Sequence, residues 1–199
     1  MLASITPLGE RGHNRRWGHT AGFYFLGSIL GGATRGAILG AIGSLVPAQL
    51  RPSPTGVALI LAGLLVVAAG IESRRLPLPI PGVTRQVNED WLSQYRGWVI
   101  GLGFGYQLGL AVVVYITSAS LWVVFAAEFL TFSPVAGMVL GAGFGFIRSL
   151  PLLATYRVRT PQQLRATHAL LQRAAQPMER VVTAACGIGA AVLVAGVLW

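Results

Sequence analysis

Residues 96–159 read RGWVIGLGFGYQLGLAVVVYITSASLWVVFAAEFLTFSPVAGMVLGAGFGFIRSLPLLATYRVR. Between Arg96 and Arg157 lie about sixty residues that carry only two charges, Glu128 and Arg148. A helix needs about 20 apolar residues to cross a bilayer, so the stretch holds two spans and a short third piece. Pro134 disfavours helix at Ser133 before it, which places a break there. The pattern predicts one span over Gly97–Ala119 and a second over Pro134–Thr155, running back. Between them, Ser120–Phe132 is apolar but only thirteen residues long. That length suits a re-entrant or interfacial segment, or an extension of the preceding helix, better than a separate crossing.

The composition agrees with this reading. Of 199 residues, 54% are hydrophobic and 11% charged, and the mean hydropathy is +0.65. Soluble domains carry about a quarter charged residues. The expected fold class is therefore an all-α polytopic membrane protein: five transmembrane helices, a short re-entrant or interfacial segment, and amphipathic cytoplasmic helices. A net charge of +9 in a soluble chain would point to nucleic acid. Here the arginines flank apolar spans and read as topology signals, so the expected partner is the lipid bilayer and no nucleic acid is expected. The single cysteine, Cys186, has no disulfide partner and no metal-ligand spacing around it. His13, His19 and His168 are scattered over separate segments. With six acidic residues and no Ser/His/Asp or paired-carboxylate arrangement, neither an enzyme nor a bound cofactor or metal is expected.

Taken in order, residues 1–18 are polar and basic and read as a cytoplasmic segment without a long helix. They are not a cleavable signal peptide by pattern, because the first apolar run is too long. Residues 19–199 form a single transmembrane domain with spans near 19–46, 56–71, 97–119, 134–155 and 181–199. The first span repeats small residues at Gly27, Gly31 and at Gly32, Gly36, Gly40. Such faces let membrane helices approach closely, either within the chain or toward a partner membrane protein or a second copy. Residues 72–96 begin with Arg74-Arg75, pass through LPLPIPG and reach Thr84–Arg96, where Val87, Trp91, Leu92 and Tyr95 share one face of a short amphipathic helix. Thr160–Met178 reads as a second interfacial helix, with Thr160 as cap and Pro161 in the first position. Twelve arginines fall in alternate loops (three before the first span, four between the second and third, five between the fourth and fifth) against Arg51 alone on the other side. By the positive-inside rule this predicts a cell (inner) membrane protein with a cytoplasmic N-terminus and an external Trp199.

The candidate functional residues are the polar groups inside the spans: Arg35, Gln107, Glu128 and Arg148. A charge at bilayer depth costs at least about 2.5–3.5 kcal/mol, so each needs a partner or a watery cavity. By depth Arg35 and Glu128 are the better pair, and Arg148 lies within snorkelling reach of the cytoplasmic boundary. Two explanations stand. The charges form a salt bridge and a snorkelled arginine that fix packing, or they surround a cavity for an anionic or proton-coupled substrate, with Tyr106, Tyr115, Thr117 and Ser118 as further lining. The pattern Gly101-Leu-Gly-Phe-Gly105 also recurs as Gly141-Ala-Gly-Phe-Gly145 on spans of opposite direction. That is either an inverted repeat of the transporter kind or shared close packing.

The order GFYFLGSILGGATRGAILGAIG, LILAGLLVVAAG, the Pro-rich LPLPIPG–TRQV loop, RGWVIGLGFGYQLGLAVVVYITSA and MVLGAGFGFIRSLPLL resembles the DsbD/CcdA-type transmembrane superfamily over about Phe23–Ala154. That group includes cytochrome c biogenesis proteins and sulfite-exporter-like relatives. The resemblance implies six helices in two inverted triplets, of which this chain holds the second to sixth. The thiol-carrying members use one cysteine in the first helix and one beside proline in the fourth. This chain lacks the first helix and has Tyr106-Gln107-Leu108-Gly109 at the second place, and Cys186 corresponds to neither. No redox residue is carried over. The expected function is transport of a small solute or ion through a polar cavity between helices. The alternative is a non-catalytic membrane subunit or assembly factor that docks a partner protein.

Overall fold

The computed structural model describes residues 6–12, 16–76, 78, 96–111 and 118–198. Residues 84–95 of the expected amphipathic helix, with Trp91 and Tyr95, and the lining residues Tyr115 and Thr117 lie outside them. The described elements are α1 (Pro7–Gly12), α2 (Trp17–Ser44), α3 (Pro54–Glu72), α4 (Gly97–Leu110), α5 (Ser120–Phe129), α6 (Pro134–Ser149) and α7 (Pro161–Leu198), with 3₁₀ turns at Ala48–Leu50 and Leu150–Thr155.

Among the described residues, four helical stretches are long and apolar enough to cross a membrane: Trp17–Ser44, Pro54–Glu72, Pro134–Thr155 and Pro177–Leu198. This is the architecture of a multi-pass membrane protein. The third of the five expected spans, 97–119, is not a single helix. Helix α4 stops after 14 residues at Leu110, and Ala111 turns into the left-handed region at φ 57°. Ser120–Phe132 is not a plain extension of it either, since α5 is a separate helix of 10 residues.

The helix starts follow ordinary capping chemistry. Ser53 and Ser133 accept from the backbone N–H groups of Gly56 and Ala136, each with proline at the first helical position. Thr160 accepts from Gln163 N–H, and the Gln163 side chain accepts from Thr160 N–H in return, a reciprocal capping box. The helix so started is longer than expected. In place of an interfacial helix followed by a separate last span, α7 runs 38 residues unbroken through Pro177. At 1.5 Å per residue it is about 57 Å long, nearly twice a hydrocarbon core.

Helix α2 is the central element. Its Gly27 and Gly31 lie against Leu102 and Tyr106 of α4, which runs parallel to it. Its Gly32, Gly36 and Gly40 lie against Gly141, Gly137 and Ser133 along antiparallel α6. A Cβ at Gly36 would collide with the Gly137 carbonyl and Gly141 Cα, so the backbones can meet here only as glycine on glycine. The glycine faces expected to be available to a partner or a second copy are thus used inside the chain.

The repeated Gly-x-Gly-Phe-Gly segments sit on opposite flanks of this helix. Ser28 touches both: its backbone nitrogen abuts Gly105, its carbonyl abuts Gly145, and its hydroxyl donates to Gly145 O at 2.7 Å. The repeat is thus a packing motif used twice. Helices α3 and α7 form a second pair, joined to the first group through α5 by a core of Ala68, Ala119, Val123 and Cys186.

The N-terminal segment is also more than a polar tail. Glu10 is buried and accepts from the Thr20 hydroxyl at 2.9 Å, and Leu8 N–H donates to Val158 O. At the same end Trp17 packs on Tyr156 and Phe23 on Trp98, an aromatic level of the kind that sits at a membrane interface.

Candidate functional site

The break between α4 and α5 falls beside the middle of α2, where Gly31 meets Leu110. A helix end leaves backbone carbonyls or N–H groups without intrahelical partners, and within a bilayer no water is at hand to take them. Charged side chains from α2 and α3 serve both ends.

Arg35 on α2 serves the end of α4. Its Nη1 donates to the Gly109 carbonyl at 2.9 Å, a cation at the negative end of the helix dipole. Its other two nitrogens hold Glu128 of α5, Nε to Oε2 at 2.9 Å and Nη2 to Oε1 at 2.5 Å. This is the bidentate fork that makes arginine–carboxylate pairs strong and directional. The guanidinium carbon lies 4.8 Å from the ring centre of Phe125 and 4.7 Å from that of Phe144, within cation–π range of both. Arg35 is 3% exposed and Glu128 not at all. The pairing expected from depth is present, and every nitrogen of the guanidinium and both carboxylate oxygens are occupied.

Glu72 at the end of α3 serves the start of α5. Its Oε1 accepts from the Ala119 N–H at 2.7 Å and from the Ser118 hydroxyl at 2.6 Å. An anion here faces the positive end of the helix dipole. Sequence reasoning left residue 72 at the head of the polar 72–96 stretch and missed this role. The one signal available was its position at the close of an apolar run, opposite a serine pair that could begin a helix.

The remaining two candidates stand apart. Gln107 is half-buried on α4 and makes no side-chain hydrogen bond among the described residues. Arg148 is also half-buried and lies over Phe144 at 5.6 Å. It lines a cavity of about 360 Å³ with Ser118, Ser120 and Cys186, a lining that includes neither Arg35 nor Glu128. Among the described residues, this cavity joins Arg148 to none of the other three. A second cavity, about 510 Å³, lies at the end of α3, where Arg74 and the exposed Glu179 approach to 3.8 Å. Among the described residues no cluster of three His, Cys, Asp or Glu side chains could hold a metal.

No protein-family model matches this chain, and no solved structure does. It is similar to curated proteins named methylamine utilization protein MauF. Against that of Methylophilus methylotrophus it is 28% identical over 196 residues, 97% of this chain and 68% of the relative. Against that of Paracoccus versutus it is 29% identical over 196 residues, 96% and 71%. Against that of Methylorubrum extorquens it is 31% identical over 157 residues, 78% and 54%.

These relatives overturn the resemblance to the DsbD/CcdA-type superfamily. That likeness rested on glycine spacing and loop order. Close packing of α4 and α6 on α2 demands the same glycine spacing in any bundle of this kind, so the spacing does not distinguish one family from another.

Proposed function

We propose that this chain is a non-catalytic membrane accessory protein of methylamine utilization, which docks and supports a partner protein. Its role in that process is read from the similarity to proteins so named, which extends over nearly the whole chain. The observation that favours an accessory over a transporter is the state of the broken helix. In transporters with discontinuous helices, the half-helix ends point at substrate or coupling ion. Here Arg35 takes the end of α4 and Glu128 takes Arg35, while Glu72 takes the start of α5. No polar atom of the Arg35–Glu128 pair is left for a solute.

The docking element in this reading is the first half of α7. Residues 161–180 are mostly exposed and carry Arg165, Arg173 and Arg180. With the arginine-rich loops on the cytoplasmic side, this half-helix extends into the cytoplasm from a five-passage bundle, α4 and α5 together making the third passage, and Trp199 lies outside.

Two measurements test the reading together. Removing the gene from its host should abolish growth with methylamine as the carbon source and leave growth on other carbon sources intact. The purified protein in liposomes should not take up labelled methylamine. Uptake above that of empty liposomes, abolished by Glu128→Leu, would reinstate transport, and normal growth of the deletion strain on methylamine would remove the chain from that process.

A further inference from the structure

We propose that the groove between α6 and the α3–α7 pair binds one anionic phospholipid, whose phosphate is held by Arg148. Of the charges within the long apolar stretches, Arg35 and Glu128 neutralise each other. Arg148 has no hydrogen bond or ion pair among the described residues; the face of Phe144 lies against it, and Tyr24 of α2 is close enough to interact with its charge. A guanidinium presents five N–H donors in a planar fork suited to phosphate oxygens. At bilayer depth it is costly without an anion. The cavity that it lines holds about 360 Å³ and has no acidic side chain in its wall, Glu72 standing behind Ser118, whose hydroxyl donates to it.

The walls indicate which anion fits. Beside Arg148 stand Ser118 and Ser120, and the rest of the lining is apolar, with Leu65, Val124 and Val182 among it. A ligand filling this space is anionic at one end and hydrocarbon along the other. Polarity runs the same way as in a lipid. Arg148 is eight residues from Tyr156, most of them in the 3₁₀ turn and so about 15 Å in all, and Tyr156 pairs with Trp17 at the interface level. From Ser120, α5 runs away from that level toward Phe129, which lies beside Gly43 near the far end of α2. A phosphate at Arg148 thus leaves its acyl chain against Val124 and Leu65 in the interior. Basic pockets between membrane helices hold lipid head groups by this logic. The proposal is independent of the role in methylamine utilization.

Native mass spectrometry of the purified protein, equilibrated with phosphatidylglycerol and phosphatidylcholine of identical chains, tests it. The wild-type protein should retain one phosphatidylglycerol with a preference of at least about tenfold, the scale of a charge-assisted hydrogen bond. Arg148→Gln should lose the preference. Ala185→Trp, which fills the groove from the exposed face of α7 and leaves every charge in place, should lose the bound lipid as well. An Arg165→Gln, Arg173→Gln double variant should keep it. No preference in the wild type, or a preference that survives Arg148→Gln, overturns the proposal. So does its loss in the Arg165/Arg173 variant, which would place the lipid on the exposed half of α7. Displacement of the lipid by millimolar inorganic phosphate would overturn it too, making this a site for a free anion.

Discussion

Arg35 holds Glu128 through two hydrogen bonds while its third nitrogen holds the Gly109 carbonyl, so one side chain ties α2, α4 and α5 together. Removing one member of a buried ion pair costs about 3–5 kcal/mol, because the other is left as an uncompensated charge. Arg35→Leu also strands the Gly109 carbonyl, at about 1–3 kcal/mol, and should be the more damaging single change.

The double variant Arg35→Leu, Glu128→Leu should melt above Arg35→Leu in detergent, since neither charge remains. Strictly additive losses in this cycle would show that the two side chains do not interact.

Glycine contact between α2 and α6 makes a second prediction. Gly36→Val drives a branched side chain into the Gly137 backbone, and backbone cannot move aside as a flexible side chain does. Overpacking of this kind costs about 1–3 kcal/mol or more, so the yield of folded protein should collapse. Gly143→Ala on the same pair of helices meets nothing within 4 Å and should leave the yield unchanged. Equal yields from the two variants would disprove the close packing described here.

Glu72 predicts a local rather than a global effect. Its loss frees the Ala119 N–H and the Ser118 hydroxyl at the start of α5. Ala119 packs in the same cluster as Cys186, the only thiol in the chain. Glu72→Ala should therefore raise the rate of maleimide labelling at Cys186 several-fold, with little change in melting temperature. Labelling as slow as in the wild type would mean that Glu72 does not hold this end in place.

The sidedness of the chain makes a fourth prediction. A reporter that is active only outside the cytoplasm should be active when fused after Trp199, and inactive when fused after Arg159. Arg51, the single arginine of the sparse side, caps α2 by donating to Val46 O and Ser44 O at 2.9 and 2.8 Å. Its structural role explains why a loop otherwise without basic residues carries one.

Sequence alone determined the class of this protein, because a bilayer-crossing helix is written as a local run of about 20 apolar residues. It determined the break at Pro134, the cap at Thr160, and the use of α2's glycines for close packing, all of which depend on residues a few positions apart. It also brought Arg35 and Glu128 to a common depth, since distance along a helix follows from counting. Tertiary structure decided what counting could not. The stop at Leu110 is held through Gly109 by an arginine 74 positions before it, and no local signal marks Gly109 or Ala111 as a helix end. The continuity of α7 through Pro177 was likewise invisible, because polar and apolar halves of one helix read as two elements when each is judged by its own environment. Whether four intramembrane polar residues share one cavity depends on which helix faces meet. Packing around α2 joined two of them, left Gln107 apart on α4, and turned Arg148 toward a separate groove.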